Sequence, residues 1–208
     1  GTTPASVICE VLNDDGSMAR LPDLIKFSKK HGIKIGTIAD LIEYRSKKEK
    51  LIKKISEEEV STEFGMMKLI VYSDLLSKNT HLAFVKGTIK KDNEIVVRVH
   101  EPLSILDFVS KETPHSWPPL KALKKISDEK NGVVIFLNYN ESQNNITSKL
   151  NHENITLKKS TDLRSYGIGS QILVDIGVSK MKLLAAPRKM PSMAGYGLQV
   201  TEFIENNI

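Results

Sequence analysis

Pro119-Leu120-Lys121-Ala122-Leu123-Lys124-Lys125-Ile126-Ser127-Asp128-Glu129, followed by Gly132-Val133-Val134-Ile135-Phe136-Leu137, is the stretch that decides the fold class. The first part reads as a helix. The second is apolar from Val133 onward and reads as a buried strand. Before this pair, Lys68 to Tyr72, Leu82 to Lys86 and Glu94 to Val99 are β-rich runs separated by polar or glycine-containing turns, the pattern of an antiparallel sheet. After it, Thr161 to Asp175 reads as a helix, with Thr161 or Asp162 as its cap and Gly177 as its stop, and Met181 to Ala185 and Leu198 to Phe203 read as two closing strands. Asn138 to Asn154 is rich in Asn and Ser and reads as a loop. The expected fold is mixed α/β, with antiparallel and mixed sheet, over residues 61–208.

The N-terminal part changes style. Pro4 to Val11 predicts a strand and Asn13-Asp14-Asp15-Gly16 a turn. Leu21 to His31 predicts a short amphipathic helix, with Pro22 in its first turn and Gly32 just past its end. A brief strand over Ile33 to Ile35 is expected next. Thr37 then caps a helix through Ile38, Leu41 and Ile42 and on past Arg45. From Ser46 to Glu59 the charge density rises and only Leu51, Ile52 and Ile55 make an apolar stripe, which predicts a linker helix over 46–60. The expected organisation is therefore a strand-helix segment 1–45, a linker helix and a larger domain, with no internal repeat.

Composition narrows the function classes. No run approaches the ~18 consecutive apolar residues of a membrane span, and the N-terminus lacks the layout of a signal peptide, so a cytoplasmic protein without a membrane partner is expected. The net charge of +5 suits phosphate-bearing ligands, but the basic residues cluster around Lys47 to Lys54 and only 6% of residues are aromatic. That argues against nucleic-acid binding, where bases need stacking platforms. Cys9 is the single cysteine, which excludes an internal disulfide and any multi-cysteine zinc site. The chain starts at Gly1 rather than at a methionine, which points to a segment of a longer protein.

Pro4-Ala5-Ser6-Val7-Ile8-Cys9-Glu10-Val11-Leu12-Asn13-Asp14-Asp15-Gly16-Ser17-Met18-Ala19-Arg20, continued by Leu21-Pro22-Asp23-Leu24 and by Lys34-Ile35-Gly36-Thr37-Ile38-Ala39-Asp40-Leu41-Ile42, resembles the C-terminal end of dihydroxybutanone phosphate synthases. The resemblance implies a lyase parent that converts ribulose 5-phosphate to dihydroxybutanone phosphate and formate with magnesium, most of whose active site lies in an N-terminal synthase part that these residues do not include. Glu10 matches the family glutamate that contacts substrate and assists proton transfer. Without the rest of that pocket, Glu10 is expected to be an ordinary strand-end carboxylate and Cys9 a small packed residue.

From about Ser61 onward the chain resembles GTP cyclohydrolase II. Thr62-Glu63-Phe64-Gly65 with Lys68-Leu69-Ile70 looks like that family's opening hairpin, and His81-Leu82-Ala83-Phe84-Val85-Lys86-Gly87 like its next strand. Arg98-Val99-His100 matches the start of the Arg-Val-His-Ser-Glu signature. In active members a cysteine and then a Cys-x-Cys pair follow and hold zinc. Here Glu101-Pro102-Leu103-Ser104-Ile105-Leu106-Asp107-Phe108 and His115-Ser116-Trp117-Pro118-Pro119-Leu120 contain none, so zinc is expected to be absent. His100, Asp107 and His115 are the candidates for a substitute metal site, but they lack a tight chelating pair, and unpaired surface or capping roles are expected for them.

Where the family carries His-Arg-Gln-Glu-Gly-Arg for the triphosphate, this chain has Asn138-Tyr139-Asn140-Glu141-Ser142-Gln143, and poor GTP affinity is expected. Asp162-Leu163-Arg164 resembles the family's catalytic Asp-x-Arg pair, and Tyr166-Gly167-Ile168-Gly169-Ser170-Gln171-Ile172-Leu173 extends the likeness. With zinc lost, Asp162 is expected to serve as a cap and Arg164 as a surface ion-pair partner. Leu184-Ala185-Ala186-Pro187-Arg188-Lys189 is a shortened form of the closing phosphate motif, which leaves Arg98, Arg188 and Lys189 as candidate phosphate- or nucleotide-binding residues. Gly195-Tyr196-Gly197-Leu198 matches the family ending. The resemblance as a whole implies a homo-oligomer, taken as a dimer, in which a catalytically retired cyclohydrolase-like domain is structural or regulatory. The alternative is an active cyclohydrolase, opening GTP with release of formate and pyrophosphate, working through a substitute metal site.

Overall fold

The computed structural model describes residues 3, 5–101, 104, 106–109, 117–139, 163–188, 190 and 193–206. Its centre is one seven-stranded sheet. In chain order the strands are β1 (Ile52–Thr62), β2 (Gly65–Asp74), β3 (Thr80–Lys86), β4 (Glu94–His100), β5 (Gly132–Phe136), β6 (Lys180–Leu184) and β7 (Gln199–Ile204). In space they run β1-β2-β3-β5-β4-β6-β7. The first three strands and β5 pair antiparallel, whereas β5, β4, β6 and β7 are mutually parallel. The sheet is thus mixed, as its sequence predicts.

Local chemistry sets the turns and ends. Thr62 closes the β1–β2 hairpin by donating its hydroxyl to the Gly65 carbonyl (2.8 Å) and accepting the Phe64 amide (3.1 Å). Gly65, at φ 99°, takes a backbone conformation that side chains disfavour. The expected opening hairpin is present, but the linker helix expected over 46–60 is not. Helix α2 (Ile38–Lys48) stops at Lys48 and β1 begins at Ile52. The apolar spacing of Leu51, Ile52 and Ile55 belongs instead to an edge strand with a bulge. The β1–β2 register slips between Lys54 and Ser56, which leaves Ile55 outside the ladder and 57% exposed. The Ser56 to Glu59 charges that imitate a solvated helix face occupy an exposed edge, where they discourage further strand pairing.

Two helical layers cover the sheet. Helix α5 (Leu163–Ile176) packs Ile168, Ile172 and Leu173 against Tyr72, Ala83, Val97, Ile135 and Met181. On the other face α4 (Pro119–Ser127) buries Ala122, Leu123 and Ile126 against Val96, Val134, Phe136 and Leu184. Each such fully buried aliphatic or aromatic side chain contributes about 1.5–3 kcal/mol. Gly132 lets α4 sit close to β5, because a Cβ there would stand 2.6 Å from the Ile126 Cβ. A four-residue helix, α3 (Leu106–Val109), precedes α4, and a 3-10 turn (Ala194–Tyr196) precedes β7. Gly177 ends α5 at φ 97°, as expected.

Before the sheet lie α1 (Leu21–His31) and α2. Pro22 and the left-handed Gly32 bound α1 as their positions predict, and the Thr37 hydroxyl accepts the Asp40 amide at the start of α2. The strands expected over Pro4 to Val11 and Ile33 to Ile35 are absent from the described residues. In place of a strand, an isolated bridge between Leu12 and Met18, with the Asn13 amide donating to the Ser17 carbonyl (2.8 Å), closes the Asn13 to Gly16 turn. A strand needs a neighbour, and Val7 and Ile8 have none: they are 97% and 92% exposed. Gln171 of α5 clamps the passage into β1, accepting the Leu51 amide (2.8 Å) and donating to the Glu49 carbonyl (2.7 Å). Among the described residues no helix is long and apolar enough to cross a membrane. The expected Asn138 to Asn154 loop lies outside the described residues beyond Tyr139.

Candidate functional site

The parallel strands end side by side, β4 at His100, β5 at Phe136 and β6 at Leu184. The chain leaves β4 to form β5 on one side and later returns to form β6 on the other. The connections therefore diverge at the carboxyl end of β4, which is where open α/β sheets leave a crevice for ligands. Alternation along β4 turns Ile95 and Val97 toward α5, and Val96, Arg98 and His100 toward α4.

Arg98 is buried, with 6% of its surface exposed. Its Nη1 donates to the Leu184 carbonyl (2.9 Å), while Nε has no hydrogen-bond partner among the described residues. Its pKa falls from the ordinary arginine range to about 10, chiefly through burial, with the nearby Arg188 cation adding to the fall and Asp107 opposing it. A desolvated guanidinium with a spare N–H, facing a second cation, is arranged for an anion. Arg188 lies exposed on the segment after β6.

Of the unpaired surface or capping roles expected of His100 and Asp107, the surface role does not hold, while Asp107 does cap a backbone amide. Both are buried, and His100 Nε2 lies 2.9 Å from Asp107 Oδ2, which also accepts the Ser104 amide (2.8 Å). The carboxylate holds the chain as it leaves β4, and the His100 ring packs edge-on to Phe136 at 6.0 Å. A spacing of seven residues across a strand end gave no periodic signal for this pair. Trp117 anchors the start of α4, donating Nε1 to the Ile204 carbonyl (2.8 Å).

At the neighbouring strand end His81 of β3 is fully buried, with both ring nitrogens lacking hydrogen-bond partners among the described residues and the Tyr139 ring edge-on at 5.5 Å. Burial lowers its pKa and Asp74 counters part of that. In the sequence His81 carries no signal beyond membership of a framework strand.

Of the remaining predicted residues, Glu10 and Cys9 do not join this crevice. Glu10 and Cys9 lie exposed on the N-terminal segment, so Cys9 is not the packed residue expected and Glu10 does not end a strand. Asp162, His115 and Lys189 fall outside the described residues; of Arg164 only the backbone, in the first turn of α5, is described. Among the described residues no three His, Cys, Asp or Glu side chains converge as a metal site. The crevice thus offers anion-binding groups and a buried hydrogen-bonded pair.

Comparison with known proteins gives the chain its kinship. The sequence model of the GTP cyclohydrolase II family matches residues 53–205, and that of 3,4-dihydroxy-2-butanone 4-phosphate synthase matches residues 1–44. A 3,4-dihydroxy-2-butanone 4-phosphate synthase of Neisseria meningitidis serogroup B is 46% identical over 205 residues, covering 99% of this chain and 56% of the relative. A riboflavin biosynthesis protein RibBA of Aquifex aeolicus is 40% identical over 217 residues, covering 97% of this chain and 53% of that protein. Among solved structures, RibBX, a two-domain 3,4-dihydroxy-2-butanone 4-phosphate synthase from A. baumannii, superposes with a TM-score of 0.52 at 34% identity, covering 94% of this chain and 53% of that one. The chain spans about half the length of these relatives. It belongs to the GTP cyclohydrolase II family, with a dihydroxybutanone phosphate synthase match fused ahead of that domain.

Proposed function

We propose that this chain is part of a longer riboflavin biosynthesis protein whose synthase part makes dihydroxybutanone phosphate and formate from ribulose 5-phosphate with magnesium. In this reading the cyclohydrolase-family domain no longer opens GTP and serves a structural or regulatory role in a homo-oligomer. The observation that carries the reading is the donor inventory. The one cysteine of the sequence is exposed on the N-terminal segment, and His100 already directs Nε2 at Asp107. Zinc in this family's chemistry would need thiolates or free imidazoles near the carboxyl end of β4, and the described residues there do not fit it. No step through a metal is therefore derived.

What the domain keeps is consistent with binding without turnover. Arg98 and Arg188, with Lys189 beside them in sequence, favour an anion. In this reading Asp162 and Arg164 no longer serve as proton acceptor and nucleophile. The N-terminal segment supports the fused reading through its exposed apolar residues, Val7, Ile8, Ile38, Leu41 and Tyr44 among them, which want a partner surface of the kind a complete synthase fold supplies. Glu10 would then reach a complete pocket and assist proton transfer.

The test is made on the fused parent. Truncation after Tyr44 is expected to change the oligomeric state in sedimentation, the synthase rate, or both. If the truncated synthase keeps the same assembly and the same rate, the structural or regulatory role is wrong.

A further inference from the structure

A second cavity, of about 770 Å³, lies away from the carboxyl ends of the parallel strands, at the seam between the two matched regions. Its walls come from both sides of that seam: Glu43 and Glu49 at the end of α2, Lys50, Lys53 and Lys54 of the passage into β1, and Gln171 and Asp175 of α5. Ile52, Leu75 and Val174 give it apolar surface, and Tyr196 of the 3-10 turn stands as an aromatic wall. Tyr196 fits there because residue 167 is glycine; a Cβ at Gly167 would come within 2.9 Å of the Tyr196 hydroxyl.

The charges in this groove are not equally committed. The Glu49 carboxylate accepts both Arg45 Nε (2.9 Å) and Nη2 (2.7 Å), Asp175 accepts the Tyr72 hydroxyl (2.7 Å), and Lys54 pairs with Glu57 (3.0 Å). The Gln171 amide is spent on the backbone at both ends. Lys50 and Lys53 make no ion pair among the described residues. Burial raises the Tyr196 pKa, which keeps the phenol neutral beside them. Two spare ammonium groups, apolar surface and a flat ring together select a ligand with an aromatic ring and an anionic group.

We propose that this seam groove is a binding site for a small aromatic anion, a phosphate or carboxylate carried on a flat ring, held by Lys50 and Lys53 with its ring against Tyr196. Because α2 lies on one wall and α5 with the 3-10 turn on the other, an occupant fastens the N-terminal segment to the sheet domain. This is separate from the Arg98 and Arg188 crevice.

The probe is 1-naphthyl phosphate, titrated by its fluorescence into the full chain, with 1-naphthol and inorganic phosphate as the ring alone and the anion alone. Saturable binding of naphthyl phosphate is expected, tighter than either half-probe. It should weaken roughly tenfold or more in the K50E/K53E double variant, since a charge-assisted contact is replaced by repulsion. A saturable phase that is lost in K50E/K53E should persist in R188A, whose side chain belongs to the crevice and not to this groove. Both lysines are exposed, so the double variant keeps its fold, and an unchanged circular dichroism melt checks this. Tyr196→Leu gives an independent arm, in which the preference for naphthyl phosphate over inorganic phosphate should shrink. The proposal is overturned if binding is not saturable, if K50E/K53E binds as the wild type does, or if R188A alone abolishes binding.

Discussion

Replacing Arg98 by methionine should leave the ligand-free protein as stable as the wild type or more so. Burial, with the Arg188 cation adding to it and Asp107 opposing it, brings the guanidinium down to about 10. At about 1.4 kcal/mol per pKa unit, keeping it charged at neutral pH costs roughly 3 kcal/mol. Methionine fills much of the same volume without a charge, as do the apolar residues that often replace buried ions at no loss. Against that stands the bond to the Leu184 carbonyl, a contribution of about 1.5–3 kcal/mol. The expected net change at pH 7 runs from none to about 1.5 kcal/mol of added stability, the difference between these two order-of-magnitude effects. A base whose pKa falls on folding is penalised at every pH below its folded value and relieved above it, so the advantage of the variant should shrink above pH 10. Urea unfolding by circular dichroism, with the slopes compared, measures the change. Added pyrophosphate should stabilise the wild type and not the variant, because only the wild type offers the anion a buried cation. A loss of more than about 2 kcal/mol in R98M, with no pyrophosphate effect on the wild type, would refute the reasoning and make Arg98 a structural strut.

Other consequences follow from single contacts. Gly132→Ala should cost about 1–3 kcal/mol, because the added carbon meets Ile126 at 2.6 Å and α4 must lift from β5, whereas Gly36→Ala, with nothing within 4 Å, should leave the thermal melt nearly unchanged. Gln171→Ala removes both bonds of the clamp, at about 1 kcal/mol each, and should speed hydrogen exchange of the Leu51 amide; equal exchange in both proteins would show that the clamp is idle. His81 resists protonation in the fold while an unfolded histidine takes its proton near the ordinary pKa. Stability should therefore fall as pH drops below about 6.5, and His81→Leu should flatten that part of the urea-derived profile.

Much of the sheet was legible because its strands carry their own signal. Gly132 to Phe136 is buried throughout and Leu82 to Lys86 alternates, and both became strands where expected. Thr37, Pro22, Gly32 and Gly177 marked helix ends through local backbone chemistry, which needs no tertiary partner. The errors came where local pattern and tertiary pairing disagree. Ile52 to Thr62 has the charge of a solvated helix, yet β2 recruits it as an edge strand. Pro4 to Val11 has the apolarity of a strand, yet among its described residues no strand forms. The site divides in the same way. Arg98 and Arg188 stood out as cations in recognisable motifs, whereas the His100–Asp107 pair and the Gln171 clamp join residues through the fold, at separations that carry no periodicity.

A cyclohydrolase-family domain that no longer opens GTP should neither hold zinc tightly nor release formate. The full chain, loaded with zinc and freed of excess metal, is analysed for bound zinc and assayed for formate release from GTP. Substoichiometric zinc and no formate above the rate without protein are expected. One zinc per chain together with formate release would contradict this.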